Sequence, residues 1–113
     1  NIMTSYNKVN SVYSHYNYDL CTTVLRSEWG YKGNVMTDWW MKKGKSPDFK
    51  NMSDQAYRVT AQVDVLMPGG TRGQNRTPDG TMLKSLKKKD GITLGEMQRT
   101  AENVLNLILD IKY

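Results

Sequence analysis

Gly33-Asn34-Val35-Met36-Thr37-Asp38-Trp39-Trp40 is a short apolar run that ends abruptly on a carboxylate followed by two tryptophans. Side chains alternate along a strand, so in Asn34 to Asp38 one face carries Val35 and Thr37 and the other Met36 and Asp38. Asp38 therefore arrives at the C-terminal end of its strand, with no cation adjacent to it in sequence. Barrels and open α/β sheets place their chemistry at that end, and a carboxylate beside flat aromatic rings is how a barrel would present a nucleophile to a sugar. Chemistry alone leaves two readings level: a nucleophile, or an Asp that caps a loop or pairs with a lysine.

Working outward, Ile2 to Tyr6 reads as a strand and Asn7 to Tyr16 as a polar, tyrosine-rich loop. Asn17 is placed to cap a helix with Leu20, Val24, Leu25 and Trp29 on one face, and Gly30 fits the left-handed position after its end. Beyond the strand, Trp39 to Met52 is a long loop interrupted by Gly44 and Pro47. Ser53 then caps a helix through Ala61, and Val63 to Met67 forms a third strand stopped by Pro68-Gly69-Gly70. A glycine-rich, basic loop runs to Gly80, followed by a helix from Met82 to about Lys88. Thr93-Leu94-Gly95-Glu96 is a capping-box signal for the last helix, with Ile92 and Met97 at staple positions. The helical spacing of Met97, Ala101, Val104, Leu105, Ile108 and Ile111 predicts that this helix faces the core.

Strand and helix alternate three times, which implies an α/β fold with a parallel sheet, doubly wound or barrel-like. Loops after the strands are long and chemically rich, whereas those after the first two helices are short, so function is expected at the C-terminal strand ends. Three parallel strands alone leave two bare edges. Apolar residues make up 38% of the chain and the mean hydropathy is -0.67, a thin core for an α/β protein. With strand-like sequence beginning directly at Asn1, the expectation is a piece of a larger chain.

The net charge of +5 is concentrated in Lys42-Lys43-Gly44-Lys45 and in Lys84 to Lys89. Without interleaved aromatics these runs read as solvated faces, which argues against a nucleic-acid partner. No apolar stretch approaches the roughly 20 residues needed to span a bilayer. The lone Cys21 forms no internal disulfide and reads as a small core residue, pointing to a reducing, cytoplasmic compartment. Two glycosylation-type triplets, Asn51-Met52-Ser53 and Asn75-Arg76-Thr77, point the other way but are common by chance. His15, the only histidine, has no partner at ligand spacing, so neither a metal site nor a Ser-His-Asp arrangement is expected. Arg26 and Glu28 read as structural, and Asp64, inside a strand, requires buried donors.

Four pieces now bear comparison with a known family: Met3 to Asn10, Leu25 to Gly33, Val35-Met36-Thr37-Asp38-Trp39, and Asp64-Val65-Leu66-Met67-Pro68-Gly69. In this order they resemble the later part of the barrel domain of glycoside hydrolase family 3, the β-glucosidase family. Gly91 to Arg99 resembles the bacterial subgroup in which the barrel domain comes last. The resemblance covers nearly the whole chain. It implies a partial (β/α)8 barrel of about three consecutive βα units with a C-terminal helix, residues 1–113 being the C-terminal portion of that domain with no second domain present.

For the site, the resemblance implies Asp38 as the nucleophile of a retaining mechanism, forming a covalent glycosyl-enzyme. It implies Tyr6 as the tyrosine whose hydroxyl stabilises that nucleophile, and Met3 and Trp39 as residues lining the sugar subsites. An aromatic face stacks on the apolar C–H face of a pyranose, a physical reason for Trp39. Trp40 reads equally as part of that wall or as packing. The sequence departs from the family at Ser11 and Gln62, where Gly is usual, and at Asn34, where an apolar strand residue is expected. The earlier strands that grip the sugar hydroxyls are missing, as is the general acid/base glutamate.

The implied function is exo-acting hydrolysis of a terminal β-linked sugar, with a small glycoside or oligosaccharide as partner and no metal or organic cofactor. The isolated chain is expected to be inactive. Its open edges and barrel-facing Met36, Val65 and Met67 would be covered by self-association or by the remainder of the barrel. Two readings compete: a non-catalytic carbohydrate-binding or scaffold fragment of a degenerate relative, and a basic nucleic-acid binder that rests on charge alone.

Overall fold

The computed structural model describes residues 1–49, 51–68 and 80–111. In chain order they form β1 (Ile2–Met3), β2 (Lys8–Val9), β3 (Val12–Tyr13), a 3-10 turn (Ser14–Tyr16), a π-helix (Asp19–Glu28), β4 (Val35–Trp39), α1 (Asp54–Thr60), β5 (Val65–Met67), α2 (Thr81–Leu86) and α3 (Leu94–Asp110). Strands β1, β4 and β5 make a parallel sheet with β4 in the middle, so each crossover advances the chain by one neighbour. The α/β class and parallel sheet agree with the sequence. The expected basic loop after Pro68 and the Asn75 triplet lie outside the described residues.

The first strand ends at Met3 rather than Tyr6, although the Thr4 amide still donates to the Met36 carbonyl at 2.8 Å. The segment read as an irregular loop folds back as an antiparallel hairpin, with Val9 opposite Val12. Its two turn residues, Asn10 and Ser11, have φ of 50° and 68°. A two-residue hairpin of this hand requires positive φ at both positions, so the unusual Ser11 sits where glycine is favoured.

The helix after Asn17 corrects the expectation of ordinary helical winding. It is a π-helix, closed by the Trp29 amide donating to the Val24 carbonyl at 3.0 Å. At about 100° per residue, Leu20, Val24, Leu25 and Trp29 would spread over half the circumference, whereas at roughly 82° per residue they gather into one stripe. Cys21 from this helix packs with Val35 and Val63, joined by Leu25 and Tyr31, in the core between helix and sheet. Asn17 caps as expected, its Oδ1 accepting from the Leu20 amide at 2.9 Å, and Gly30 has φ of 69°.

A second core joins Met52, Ala56 and Ile92, with Tyr57, Met82, Leu86 and Met97 against it. Ser53 occupies the cap position of α1 but makes no side-chain cap bond. Instead, Thr81 Oγ1 accepts from the Gln55 amide at 3.1 Å, so the neighbouring helix supplies the cap. The capping box of α3 forms as read: Glu96 N donates to Thr93 Oγ1 at 3.2 Å and Thr93 N to the Glu96 carboxylate at 2.7 Å. The expectation that α3 faces the core along its length is corrected. Leu105, Ile108, Leu109 and Ile111 are at least half exposed, Leu109 to 78%. Helix α1, about 10 Å long, is too short to cover α3 at about 25 Å. No helix among the described residues is long and apolar enough to cross a membrane.

Candidate active site

The site is built on β4, which is anchored at one end and exposed at the other. At the anchored end, the Asp64 carboxylate accepts from the Val35 amide (2.9 Å), Arg26 Nη2 (2.8 Å) and Asn103 Nδ2 (3.0 Å). Arg26 also donates to the Gly33 and Gln62 carbonyls, each at 3.0 Å, tying down the short loops after both crossover elements. The pair is almost dry, with side-chain exposures of 9% and 0%. Arg26 and Asp64 are thus structural, as their sequence positions suggested, and a buried pair held by this many hydrogen bonds specifies one register.

At the other end, the strand is not regular. Met36 pairs with Val65 and Trp39 with Met67, so three steps along β4 match two along β5. This is a bulge at Thr37 and Asp38. Val65 and Met67 share a face of the sheet, and their partners Met36 and Trp39 must therefore share it too, which regular alternation forbids. The bulge puts Trp39 on the face that Met36 occupies, a placement that strict alternation in the sequence did not predict.

Thr37, fully buried, closes the bulge. Its Oγ1 accepts from the Met67 amide at 2.9 Å and donates to the Asp38 carbonyl at 2.7 Å. The hydroxyl thus takes a carbonyl's place in the ladder. Asp38 itself is partly exposed, and its Oδ1 accepts from the Trp39 amide at 2.7 Å. That bond orients the carboxylate and leaves Oδ2 outside it.

Across the sheet, the Tyr6 hydroxyl donates to the Trp39 carbonyl at 2.7 Å. Desolvation first, and then the neighbouring Asp38 carboxylate, push the Tyr6 hydroxyl above its ordinary value, so the phenol keeps the proton it donates to Trp39. Trp40 turns the chain away at φ of 51°, its amide donating to the Met67 carbonyl at 3.3 Å and its side chain 55% exposed. The structure therefore gathers Tyr6, Asp38 and Trp39. Met3 is the Cα partner of Met36, and it lines a groove with Ile2, Leu20, Val24, Leu25 and Trp29. Thr37 was missed in sequence; its only signal there is a hydroxyl directly before a strand-end Asp.

His15 sits behind the loop that follows Trp40. It is buried, its Nε2–H donates to the Lys42 carbonyl at 3.1 Å, and Tyr16 donates to the same carbonyl at 3.0 Å. Tyr16 in turn stacks on Tyr57 with centroids 4.9 Å apart. Burial pulls His15 down to about 4, so it is neutral. Among the described residues no group of three His, Cys, Asp or Glu side chains is placed to hold a metal ion.

A family profile described as the glycosyl hydrolase family 3 N terminal domain matches residues 1–107. The chain belongs to glycoside hydrolase family 3. This family 3 chain is 36% identical to a beta-glucosidase of Ruminococcus albus over 96% of its own length and 11% of the relative's. It is 34% identical to a probable beta-glucosidase I of Aspergillus oryzae, over 95% of itself and 11% of that protein. Among solved structures, a beta-glucosidase from Paenibacillus barengoltzii superposes with a TM-score of 0.78 at 41% identity, covering 96% of this chain and 12% of that one. A beta-glucosidase from Kluyveromyces marxianus in complex with glucose superposes with a TM-score of 0.74 at 27% identity, covering 95% and 11%. The chain thus spans about a tenth of the length of the relatives it matches.

Proposed function

We propose that this chain carries the nucleophile and part of the sugar-stacking wall of a retaining, exo-acting β-glucosidase, as one stretch of a longer protein. The observation that carries the reading is the placement of Asp38: on a bulge at the C-terminal end of β4, oriented by the Trp39 amide, beside Tyr6 and Trp39, in a family 3 chain. The sequential order β1-β4-β5 supports three consecutive βα units of a (β/α)8 barrel, residues 1–113 forming its C-terminal portion. The glucose bound to the Kluyveromyces marxianus relative favours a glucose-like pyranose at this site.

In the first step Asp38 Oδ2 attacks the anomeric carbon, the glycosidic C–O bond breaks, and the leaving oxygen takes a proton from a carboxylic acid about 5 Å from Asp38. Another part of the protein supplies that acid. Water, deprotonated by the same group, then releases the sugar from Asp38 with net retention. Tyr6 stabilises the carboxylate before attack, Trp39 offers its ring to the apolar face of the pyranose, and Met3 lines the same subsite from β1.

The test is a 2-fluoro glucoside applied to the β-glucosidase that carries this stretch, either the parent protein or the Ruminococcus albus enzyme with its homologous segment replaced. The label is expected on Asp38, and azide should rescue Asp38→Ala with inverted product stereochemistry. A label on another carboxylate overturns the assignment. No label, with glucose still bound, favours the non-catalytic reading.

A further inference from the structure

We infer that Thr37 is a positioning residue whose hydroxyl sets the reach and direction of Asp38. The inference rests on the reading of Asp38 as nucleophile and extends it to a side chain that touches no substrate.

A bulge frees one residue from the ladder, and a freed residue has more conformations unless something holds it. Here the extra residue falls at Thr37 and Asp38, between the paired Met36 and Trp39. Without a substitute, the Met67 amide would lose its partner next to the site. Thr37 Oγ1 is that substitute, accepting from Met67 at 2.9 Å and passing its own proton to the Asp38 carbonyl at 2.7 Å. One hydroxyl thereby fixes the Asp38 peptide plane against β5, and the carboxylate follows because its Oδ1 is held by the next amide, Trp39. The chain of bonds runs Met67 amide, Thr37 hydroxyl, Asp38 carbonyl, and its central link, Thr37, is fully buried. Its β-branch stiffens χ1, so the hydroxyl is held where the bridge needs it. A nucleophile displaced by about 1 Å loses on the order of 100-fold in rate, so a bond that fixes the backbone beneath it acts on kcat rather than on sugar affinity.

The experiment uses the same β-glucosidase and compares Thr37→Val, which keeps the shape and removes the hydroxyl, with Thr37→Ser, which keeps the hydroxyl. Measured are kcat, KM and the rate of 2-fluoro glucoside labelling, well below the melting temperature of each variant. Thr37→Val is expected to lower kcat and labelling rate by roughly 10- to 100-fold with KM little changed, and Thr37→Ser to stay close to the parent. Thr37→Val with parental kcat, or Val and Ser variants equally slow, overturns the inference. If Thr37→Val does not fold, Thr37→Cys replaces it, its thiol being a weak donor. A kcat below that of Thr37→Ser then supports the role, and an equal kcat overturns it. Mass spectrometry of the label separates the two levels: a label on Asp38 with an unaffected Thr37→Val sinks only the role of Thr37, whereas a label elsewhere sinks both.

Discussion

The Tyr6 hydroxyl reaches across from the loop after β1 to the Trp39 carbonyl, 2.7 Å away, and shares its proton's field with Asp38. The same bond therefore braces the backbone of the aromatic wall beside the carboxylate. Tyr6→Phe should slow formation of the glycosyl-enzyme by roughly 2- to 10-fold, the worth of the one hydrogen bond lost at about 0.5–1.5 kcal/mol. Pre-steady-state burst kinetics on a nitrophenyl β-glucoside measures it. An unchanged burst rate would reduce Tyr6 to a packing role.

Ser11 and Gln62 both sit where the backbone has positive φ, 68° and 64°. Non-glycine residues are strained there, and the Gln62 carbonyl, which Arg26 holds, survives any side-chain change. Ser11→Gly and Gln62→Gly should each raise stability by roughly 0.5–1 kcal/mol, offset in part by the freer unfolded chain. Urea unfolding midpoints decide it, and a lowered midpoint for both would contradict the argument.

His15 makes stability depend on pH. Its folded value of about 4 lies below the ordinary 6.5, with desolvation as the main cause and the charge of Arg58 adding to it. Between these values the unfolded chain binds a proton that the folded chain refuses. The contribution is complete above about pH 6.5 and is lost as pH falls towards 4, amounting to at most about 3 kcal/mol. His15→Gln, which keeps a donor for the Lys42 carbonyl, should flatten the profile over that range. Urea titrations of both proteins at several pH values compare them; parallel profiles would remove His15 from the explanation.

The segment alone should be catalytically silent and should self-associate. Leu105, Ile108, Leu109 and Ile111 on α3, with Trp29 at 74% exposure at the end of the π-helix, leave large apolar side chains bare, and exposed apolar patches tend to be covered by association. Size-exclusion chromatography with light scattering on the 113-residue chain, beside a nitrophenyl β-glucoside assay, checks both halves. A stable monomer would contradict the first half. Turnover that disappears on Asp38→Asn would contradict the second.

What the sequence determined by itself lies within a few residues' reach. The α3 capping box joins Thr93 to Glu96, the Asn17 cap reaches Leu20, and Gly30 takes its left-handed turn, each a contact between near neighbours that residue type dictates. The alternation of strands and crossovers, and Asp38 at a strand end, were readable for the same reason: periodicity is local. Only the tertiary structure decided the π winding of Asp19–Glu28, the bulge that turns Trp39 onto the face of Met36, the cap that Thr81 lends to α1, and the bareness of α3. Each depends on partners far along the chain, Thr37 with Met67 thirty residues on and Gln55 with Thr81 twenty-six on. A hydroxyl in a list of residues carries no sign of which distant amide it will meet. The strand that carries Asp38 was legible in sequence, while the geometry around Asp38 depends on hydrogen bonds that exist only once the strands are side by side.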